Sequence, residues 1–583
     1  MSIGLKPSTT SQTTGQQTSR GSTWDEPLSG SDLRLALIGC GPRGMYCLER
    51  LTHVLETHPT SRRVRVDIYE PAPYPGAGNI YDLRQPAYLR MNFSNRHINA
   101  CHPNARLGEG SPKPILTESF LQWNQSRQLC DNAPESYAPR SVIGGYLHDA
   151  YQQVIARLSN VADVSLHPSQ VTNLRRIGSR WRIWSERMTV NYDSVVVTVG
   201  HEGWRCSQPH RPDEVIADVA CVFPTTERLS ETAIPAGSVV AMRGFGLTWI
   251  DAVLALTEGR GGKFVQDEHK RWSYTQSGRE PAKLHPFSRT GRPMLPKVDA
   301  SIGDGLSTLW NRYRRKLARL RRDASSDNDR LLHFRTDVWP LVIAAADEAL
   351  RSMRPDLPSV DVSDWYRDWK RWRICGDDVR HRLQHAYDVA TGVAPVDEAW
   401  ALGETWRRLY SKLVAIVSHD GLVAESLSDF ESVAREMERI AFGPPAENVG
   451  RLLALHDVGL IDFNNLIEFE PCRSSNGSLS LCCDGESVAV DKLVDATIPG
   501  PFHSQRGGLL ERLMNDPMLS PTHGPLRIDP QGRPLGEEDQ PLPNIAVFGR
   551  STEASVLGND TLSRTLHSEI DRWSEAFAAS LAK

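Results

Sequence analysis

No run of apolar residues in this 583-residue chain approaches the roughly 18 that a membrane-crossing helix requires. An excess of either charge is missing too. The 67 Lys and Arg against 71 Asp and Glu leave a formal charge of −4, which gives no global electrostatic case for a nucleic-acid partner. Cysteines number 10 and are scattered without paired spacing, a usage that fits a reducing cytoplasm, and Cys482-Cys483 reads as a buried strand pair. Ser8 to Ser29 is rich in Ser, Thr, Gln and Gly and has no hydrophobic core segment. Residues 1–31 therefore read as a disordered tail rather than a signal peptide. What is left is a cytoplasmic chain long enough for roughly three or four domains, at about 150 residues each.

What the chain does contain is two glycine-rich turns, each directly after a run of aliphatic residues. The first, Leu35-Ala36-Leu37-Ile38-Gly39-Cys40-Gly41-Pro42-Arg43-Gly44, opens a helical pattern carrying Met45, Leu48, Leu51 and Leu55 on one side. A second strand pattern, Val64 to Glu70, follows. Gly39 makes the tight turn, Gly41 lets backbone approach a pyrophosphate, and Gly44 lets helix and strand pack closely. The phosphates then rest on the positive end of the helix. Glu70 closes the second strand, where an acid accepts hydrogen bonds from the adenosine ribose hydroxyls. That preference favours FAD or NAD over a 2′-phosphate.

The loop Tyr74 to Asn79 and the segment Tyr88 to Ser94 supply close backbone approach and then polar donors. Met91 and Asn92 are thereby candidates for the flavin edge, with turn-capping as the alternative for Asn92. Asp193 to Gly200 is a buried strand pattern ending in glycine. Gly200 is assigned to the cofactor, and His201 is either an acid–base group or a polar strand exit.

The second turn, Ser238 to Trp249, has Gly244 and Gly246 but Trp249 at the third glycine position. Phe245, Leu247 and Thr248 complete it as a candidate NADPH turn. Downstream lie Lys270, Arg271, Arg279, Arg289 and Arg292 among Ser273, Tyr274, Ser277 and Ser288. Guanidinium groups beside hydroxyls suit a dianionic phosphate, and Arg279 and Arg289 are assigned to it.

From Ser301 to Ile440 the texture becomes helical. Trp339, Val342, Ile343, Ala346 and Leu350 repeat at helical spacing, as do Trp406, Leu409, Tyr410, Leu413 and Val417, which indicates amphipathic helices on a common core. The basic run from Arg312 to Arg322 reads as a solvated face. Strand patterns return at Leu479 to Cys483 and at Val488 to Pro499, as if a second nucleotide domain closes there. Ile545 to Phe548 is a last strand. Beyond it, Asn559 or Asp560 is expected to cap a helix running to about Phe577 and to aim its dipole at a flavin. Gly549, Asn559, Asp560 and Thr561 are assigned to FAD on that ground.

The expected fold is α/β: two Rossmann-like dinucleotide-binding domains, for FAD and NADPH, with a large helical insertion in the second. The FAD-binding domain spans 32–205 and 506–583, the NADPH-binding domain 206–300 and 446–505, and the insertion 301–445. A disulfide reductase shares this plan, but Cys40, Cys47, Cys101 and Cys130 lack the spacing of its redox pair. A passive FAD-binding protein is a further alternative.

With these pieces placed, the chain resembles a group of FAD/NAD(P)-binding proteins whose first motif reads G-x-G-P-R-G, here Gly39 to Gly44. The resemblance extends to Arg243 to Thr248 with Asp251, Ser277 to Pro281, Ser288-Arg289, Ala441 to Pro445 and Gly558 to Leu562. Within that group it is similar to the nitrosuccinate synthases, FAD- and NADPH-dependent N-oxygenases of L-aspartate in natural-product biosynthesis. The resemblance implies that NADPH reduces the flavin and that O2 then supplies an oxygen atom to an unprotonated amine, while the protein orients the reactants and keeps water away. It also implies cationic clamps for two carboxylates, for which Arg289, Arg292, Arg451 and Arg550 are the candidates. Asn92 and Asn559 are the candidates beside the ring. The expected partners are a small amino acid and O2, with no nucleic acid, membrane or metal. A homodimer is the open assembly state, and another amine or a non-amine substrate remains an alternative.

Overall fold

The structure is a computed structural model that describes residues 32–103, 113–200, 215–326, 331–359, 361–475, 477–498, 508–514, 526–553 and 555–581. The expected tail at 1–31 and His201 lie outside the described residues.

Two parallel sheets carry the two glycine turns. The larger is five-stranded, in the order Ile545–Val547, Ser194–Val197, Leu33–Ile38, Val64–Tyr69, Asp163–His167, with every neighbouring pair parallel. Its central strands, Leu33–Ile38 and Ser194–Val197, are largely aliphatic because both their faces are covered, whereas the edge strand Asp163–His167 is polar and exposed. On one side, helices Pro42–Thr57, Arg140–Leu158 and Glu569–Leu581 bury Met45, Leu48, Leu51, Val154, Trp573 and Phe577 in one core. On the other side, the antiparallel strands Val171–Ile177, Arg180–Ser185 and Thr189–Tyr192 close over Val195 and Val197 with Trp181 and Ile183.

The second sheet places Val239–Arg243 between Lys283–Phe287 and Lys492–Asp495, again all parallel. Its central strand runs through Gly244 into helix Leu247–Leu256, which is apolar nearly all round and buried.

Between Phe287 and Lys492 the chain is mainly helical. Ser307–Ser326, Trp339–Met353, Val362–Arg371, Glu398–Val417 and Ala424–Ala441 share a core built on Trp310, Trp369, Trp400 and Trp406. Helix Gly376–Ala390 differs: it packs with Ala446–Asp457 on the core of the second sheet, through Val379, Leu383 and Tyr387. Part of the expected 301–445 block is therefore built into the second sheet's own layer. No helix among the described residues is long and apolar enough to cross a membrane.

Two expectations about elements need correcting. The last helix is Glu569–Leu581, so neither Asn559 nor Asp560 caps it. The intervening Thr561 and Ser563 hydroxyls accept from nearby backbone N–H groups (Ser563 N–H to Thr561 Oγ1, Thr565 N–H to Ser563 Oγ, both 3.2 Å), and such local bonds compete with helix. The cysteine reading also changes. Antiparallel strands Glu470–Arg473 and Leu479–Cys483 pair Cys472 with Ser480 and Glu470 with Cys482, which makes Cys472 and Cys482 diagonal neighbours, and their sulfurs are bonded. Cys482 and Cys483 do lie in a strand, but it is a half-buried one.

Candidate functional site

At the first turn, the three glycines are held to different degrees. Gly39 has φ +83°, and a Cβ there would lie 2.7 Å from the Thr198 carbonyl oxygen. A Cβ on Gly44 would lie 2.6 Å from the Gly39 oxygen and 2.9 Å from Thr198 Oγ1. These two glycines lock the turn against the neighbouring strand, and Thr198 Oγ1 donates to the Gly39 carbonyl at 2.6 Å. At Gly41 a Cβ would meet nothing closer than the Gly78 Cα at 3.9 Å. Gly41 is the N-cap of a helix with Pro42 in its first turn. Two bare Cα atoms thus face each other at the positive end of a helix, a cradle suited to a pyrophosphate. The facing loop is docked by the Gly76 N–H, which donates to the Cys40 carbonyl at 2.6 Å.

Glu70 is buried beneath this turn. Its carboxylate accepts from the Cys40 N–H at 2.6 Å and the Ala72 N–H at 2.8 Å, while burial pushes its pKa up against those two amides. Glu70 thereby holds the turn's shape and keeps further lone pairs for a ribose. Arg43 Nε is buried without a hydrogen-bond partner, and a Cβ on Gly549 would lie 3.5 Å from the Arg43 Cγ. Gly200 has φ +64° and nothing near its missing Cβ.

The second turn repeats the first turn's interlock. Gly244 has φ +109°, and a Cβ there would lie 2.9 Å from the Ala496 carbonyl oxygen, just beyond the parallel strand Lys492–Asp495. Gly246 is the N-cap of its helix, followed by Leu247 and the buried Thr248. In place of a third glycine, Trp249 is 1% exposed and packs on Phe245, with ring centroids 4.8 Å apart. The indole fills space that the close helix–strand approach of a glycine would have removed. The two turns are tied together: Arg140, at the start of its helix, meets the buried Asp251 at 2.7 Å. Burial raises the Asp251 pKa and the Arg140 charge lowers it.

The four arginines proposed as clamps have different fates. Arg292 donates to both oxygens of Glu436, at 2.7 and 3.0 Å, and to the Lys370 carbonyl. Arg451 pairs with Glu258 at 2.8 Å and with Glu447, and it lies against the Phe264 and Trp272 rings. Both guanidiniums are already committed to carboxylates. Arg289 is exposed at the end of strand Lys283–Phe287, without a hydrogen bond or ion pair among the described residues. Arg279 pairs with Glu231 on the surface. Arg550 is largely buried and set 3.5 Å from Asp560 and 3.7 Å from Glu553.

Asp560 is within electrostatic reach of Arg43, Tyr81, Tyr410, Glu438 and Glu553. Gly558 admits the Tyr410 hydroxyl 2.4 Å from where a Cβ would stand, and Asn559 Nδ2 donates to Thr552 Oγ1 at 2.5 Å. Thr561 lies in the same turn. Met91 is buried; the Asn92 main-chain carbonyl accepts from Lys297 Nζ.

Lys297 and Glu438 carry no sequence signature comparable with the glycine turns. Lys297 is 9% exposed, stands over the Phe93 ring at 4.4 Å, and has its pKa lowered to about 7 by burial and then by Arg407. The only available signal was a lysine between Pro296 and the apolar Val298. Glu438 is exposed on helix Ala424–Ala441, and the protein crowding it at longer range, then the charges of Asp560 and Glu553, push its pKa up to about 8.

Glycine turns joining parallel strands to helix starts are the Rossmann-type architecture of an FAD/NAD(P)-binding protein. Residues 36–202 match the FAD-NAD(P)-binding family. Over most of its length the chain is also similar to curated enzymes. It is 27% identical over 580 residues to the L-aspartate N-monooxygenase (nitrosuccinate-forming) of Streptomyces davaonensis, covering 84% of this chain and 85% of that one. It is 25% identical over 539 residues to the protein of the same name from Streptomyces cremeus, covering 80% of each. To the nitrosuccinic acid synthase of Aspergillus oryzae it is 23% identical over 555 residues, covering 82% of this chain and 80% of the other.

Proposed function

We propose that this protein is a flavin-dependent N-monooxygenase that uses NADPH and O2 to oxidise the amine of a small amino acid, with L-aspartate giving nitrosuccinate. The observation that carries the reading is the similarity to an L-aspartate N-monooxygenase over 84% of this chain and 85% of that one. The cradles support it, since an enzyme that moves electrons from a nicotinamide to a flavin needs two nucleotide sites.

In this reading residues 32–205 and 506–583 form the FAD-binding domain. Gly39, Gly41, Pro42, Arg43 and Gly44 hold the pyrophosphate and Glu70 the ribose. Met91, Asn92, Gly200, Gly549, Asn559, Asp560 and Thr561 border the rest of the cofactor. Residues 206–300 and 446–505 form the NADPH-binding domain, interrupted by the helices within 301–445. Gly244, Phe245, Gly246, Leu247 and Thr248 form its phosphate turn. The free Arg289 suits the 2′-phosphate better than Arg279, which would have to leave Glu231. The flavin, once reduced, supplies the site of oxygen activation; the chain supplies position, desolvation and proton control.

An oxygen-consumption screen over amino acids with FAD-loaded protein and NADPH tests the reading. Acceleration by L-aspartate with an N-oxidised product is expected. Oxygen uptake that no amine accelerates would overturn the proposal.

A further inference from the structure

Arg43 is the charged residue of the first glycine turn, at the start of helix Pro42–Thr57, and it makes no ion pair among the described residues. Its Nε is buried without a hydrogen-bond partner, and its Nη2 donates to an imidazole nitrogen, His567 Nδ1, at 3.4 Å. The other ring nitrogen, Nε2, lies 2.9 Å from the Leu557 carbonyl oxygen. A carbonyl only accepts, so Nε2 carries the proton and Nδ1 offers its lone pair to the guanidinium. His567 is therefore neutral, and burial followed by the Arg43 charge holds its pKa down to about 4. Arg43, Asn559, His567 and Glu569 line one small cavity. The ring thus joins the helix start to the turn at 558–560, which begins directly after Leu557.

The carboxylates around Arg43 are engaged elsewhere. Glu569 is met through Oε1 by His419 at 2.8 Å, Asp571 by Arg50 at 2.9 Å, and Asp560 by Arg550 at 3.5 Å. A carboxylate that fixes a guanidinium also cancels its charge, as happens to Arg292 and Arg451. An imidazole fixes the position and leaves the charge. A partly buried cation without a counter-charge is costly, and the arrangement is explained if an anion at the helix start completes it.

We infer that His567 is a positioning residue for the cofactor: it holds Arg43 in place without neutralising it, so that the charge serves the FAD pyrophosphate, and through the Leu557 carbonyl it sets the turn at 558–560 against the same helix start. The inference rests on the FAD-binding part of the N-oxygenation reading and deepens it.

The test is FAD titration and thermal melting of the full-length apoprotein for wild type, H567Q, H567E and H567F. Glutamine keeps one donor and one acceptor, glutamate supplies an anion that pairs with Arg43, and phenylalanine removes both hydrogen bonds. H567Q should bind FAD within about threefold of wild type. H567E should raise the dissociation constant roughly tenfold or more while its apoprotein melts no lower than wild type, because the new ion pair neutralises Arg43. H567F should raise it by about threefold or more, since Arg43 is no longer held. Folded H567E and H567F with wild-type affinity for FAD would overturn the inference and leave the N-oxygenation reading standing. So would H567Q weakened as much as H567E, or melting temperatures that fall in step with affinity in every variant, as a merely structural residue would give. If H567E does not fold, H567F against H567Q decides in the same sense. A wild-type apoprotein that takes up no FAD would overturn both.

Discussion

Gly41 and Gly44 stand three positions apart in one turn and have opposite tolerances. Gly44 is closed on by the Gly39 carbonyl and Thr198, whereas a Cβ on Gly41 would meet nothing closer than the Gly78 Cα at 3.9 Å. G44A is expected to destabilise the protein by about 1–3 kcal/mol. G41A should leave the apoprotein's melting temperature nearly unchanged and weaken FAD binding roughly tenfold or more, because its methyl occupies the place of a phosphate. Thermal melting and FAD titration of both variants check the contrast. Lys297 poses a different trade. Its ordinary pKa is 10.5 and its folded value about 7, so between those values the unfolded chain binds more protons and stability rises with pH. The penalty is complete below about 7 and gone above about 10.5. K297M should therefore melt higher than wild type, by roughly 2–5 °C at pH 6.5 and by less at pH 9. A variant that melts no higher at pH 6.5 would contradict a charge held at a cost.

Among elements, the parallel strands announce themselves because burial on both faces demands unbroken aliphatic runs, as at Leu33–Ile38 and Ser194–Val197. Helices Trp339–Met353 and Glu398–Val417 are equally legible from the spacing of their tryptophans and leucines. The start of the last helix is not, since Thr561 and Ser563 offer the backbone local partners that a periodicity count ignores. The Cys472–Cys482 pairing is hidden for a related reason: it depends on the register of a hairpin, not on a motif. The contact between helices Arg140–Leu158 and Leu247–Leu256 carries a prediction. Asp251 is 4% exposed and answered by Arg140, so R140A, which strands that carboxylate, should cost about 3–5 kcal/mol. The double variant R140M/D251L should recover most of it. Urea unfolding of the three proteins measures this, and additive losses would argue against a direct pair.

For the molecule as a whole, the two strand–glycine turn–helix units could be read from the sequence because each is local and contiguous. Contacts between distant segments, such as Lys297 with the Asn92 carbonyl and Tyr410 with Gly558, could not. A count of arginines pointed to Arg292 and Arg451, but folding spends both on buried or half-buried carboxylates. What discriminates a clamp from a structural cation is whether it is already answered, and sequence does not record that. The most direct measurement of the central claim is mass analysis of the product formed from L-aspartate by FAD-loaded protein with NADPH under ¹⁸O2. The account predicts nitrosuccinate whose newly formed N–O bonds carry the label. NADPH oxidation that yields hydrogen peroxide and unchanged aspartate would contradict it.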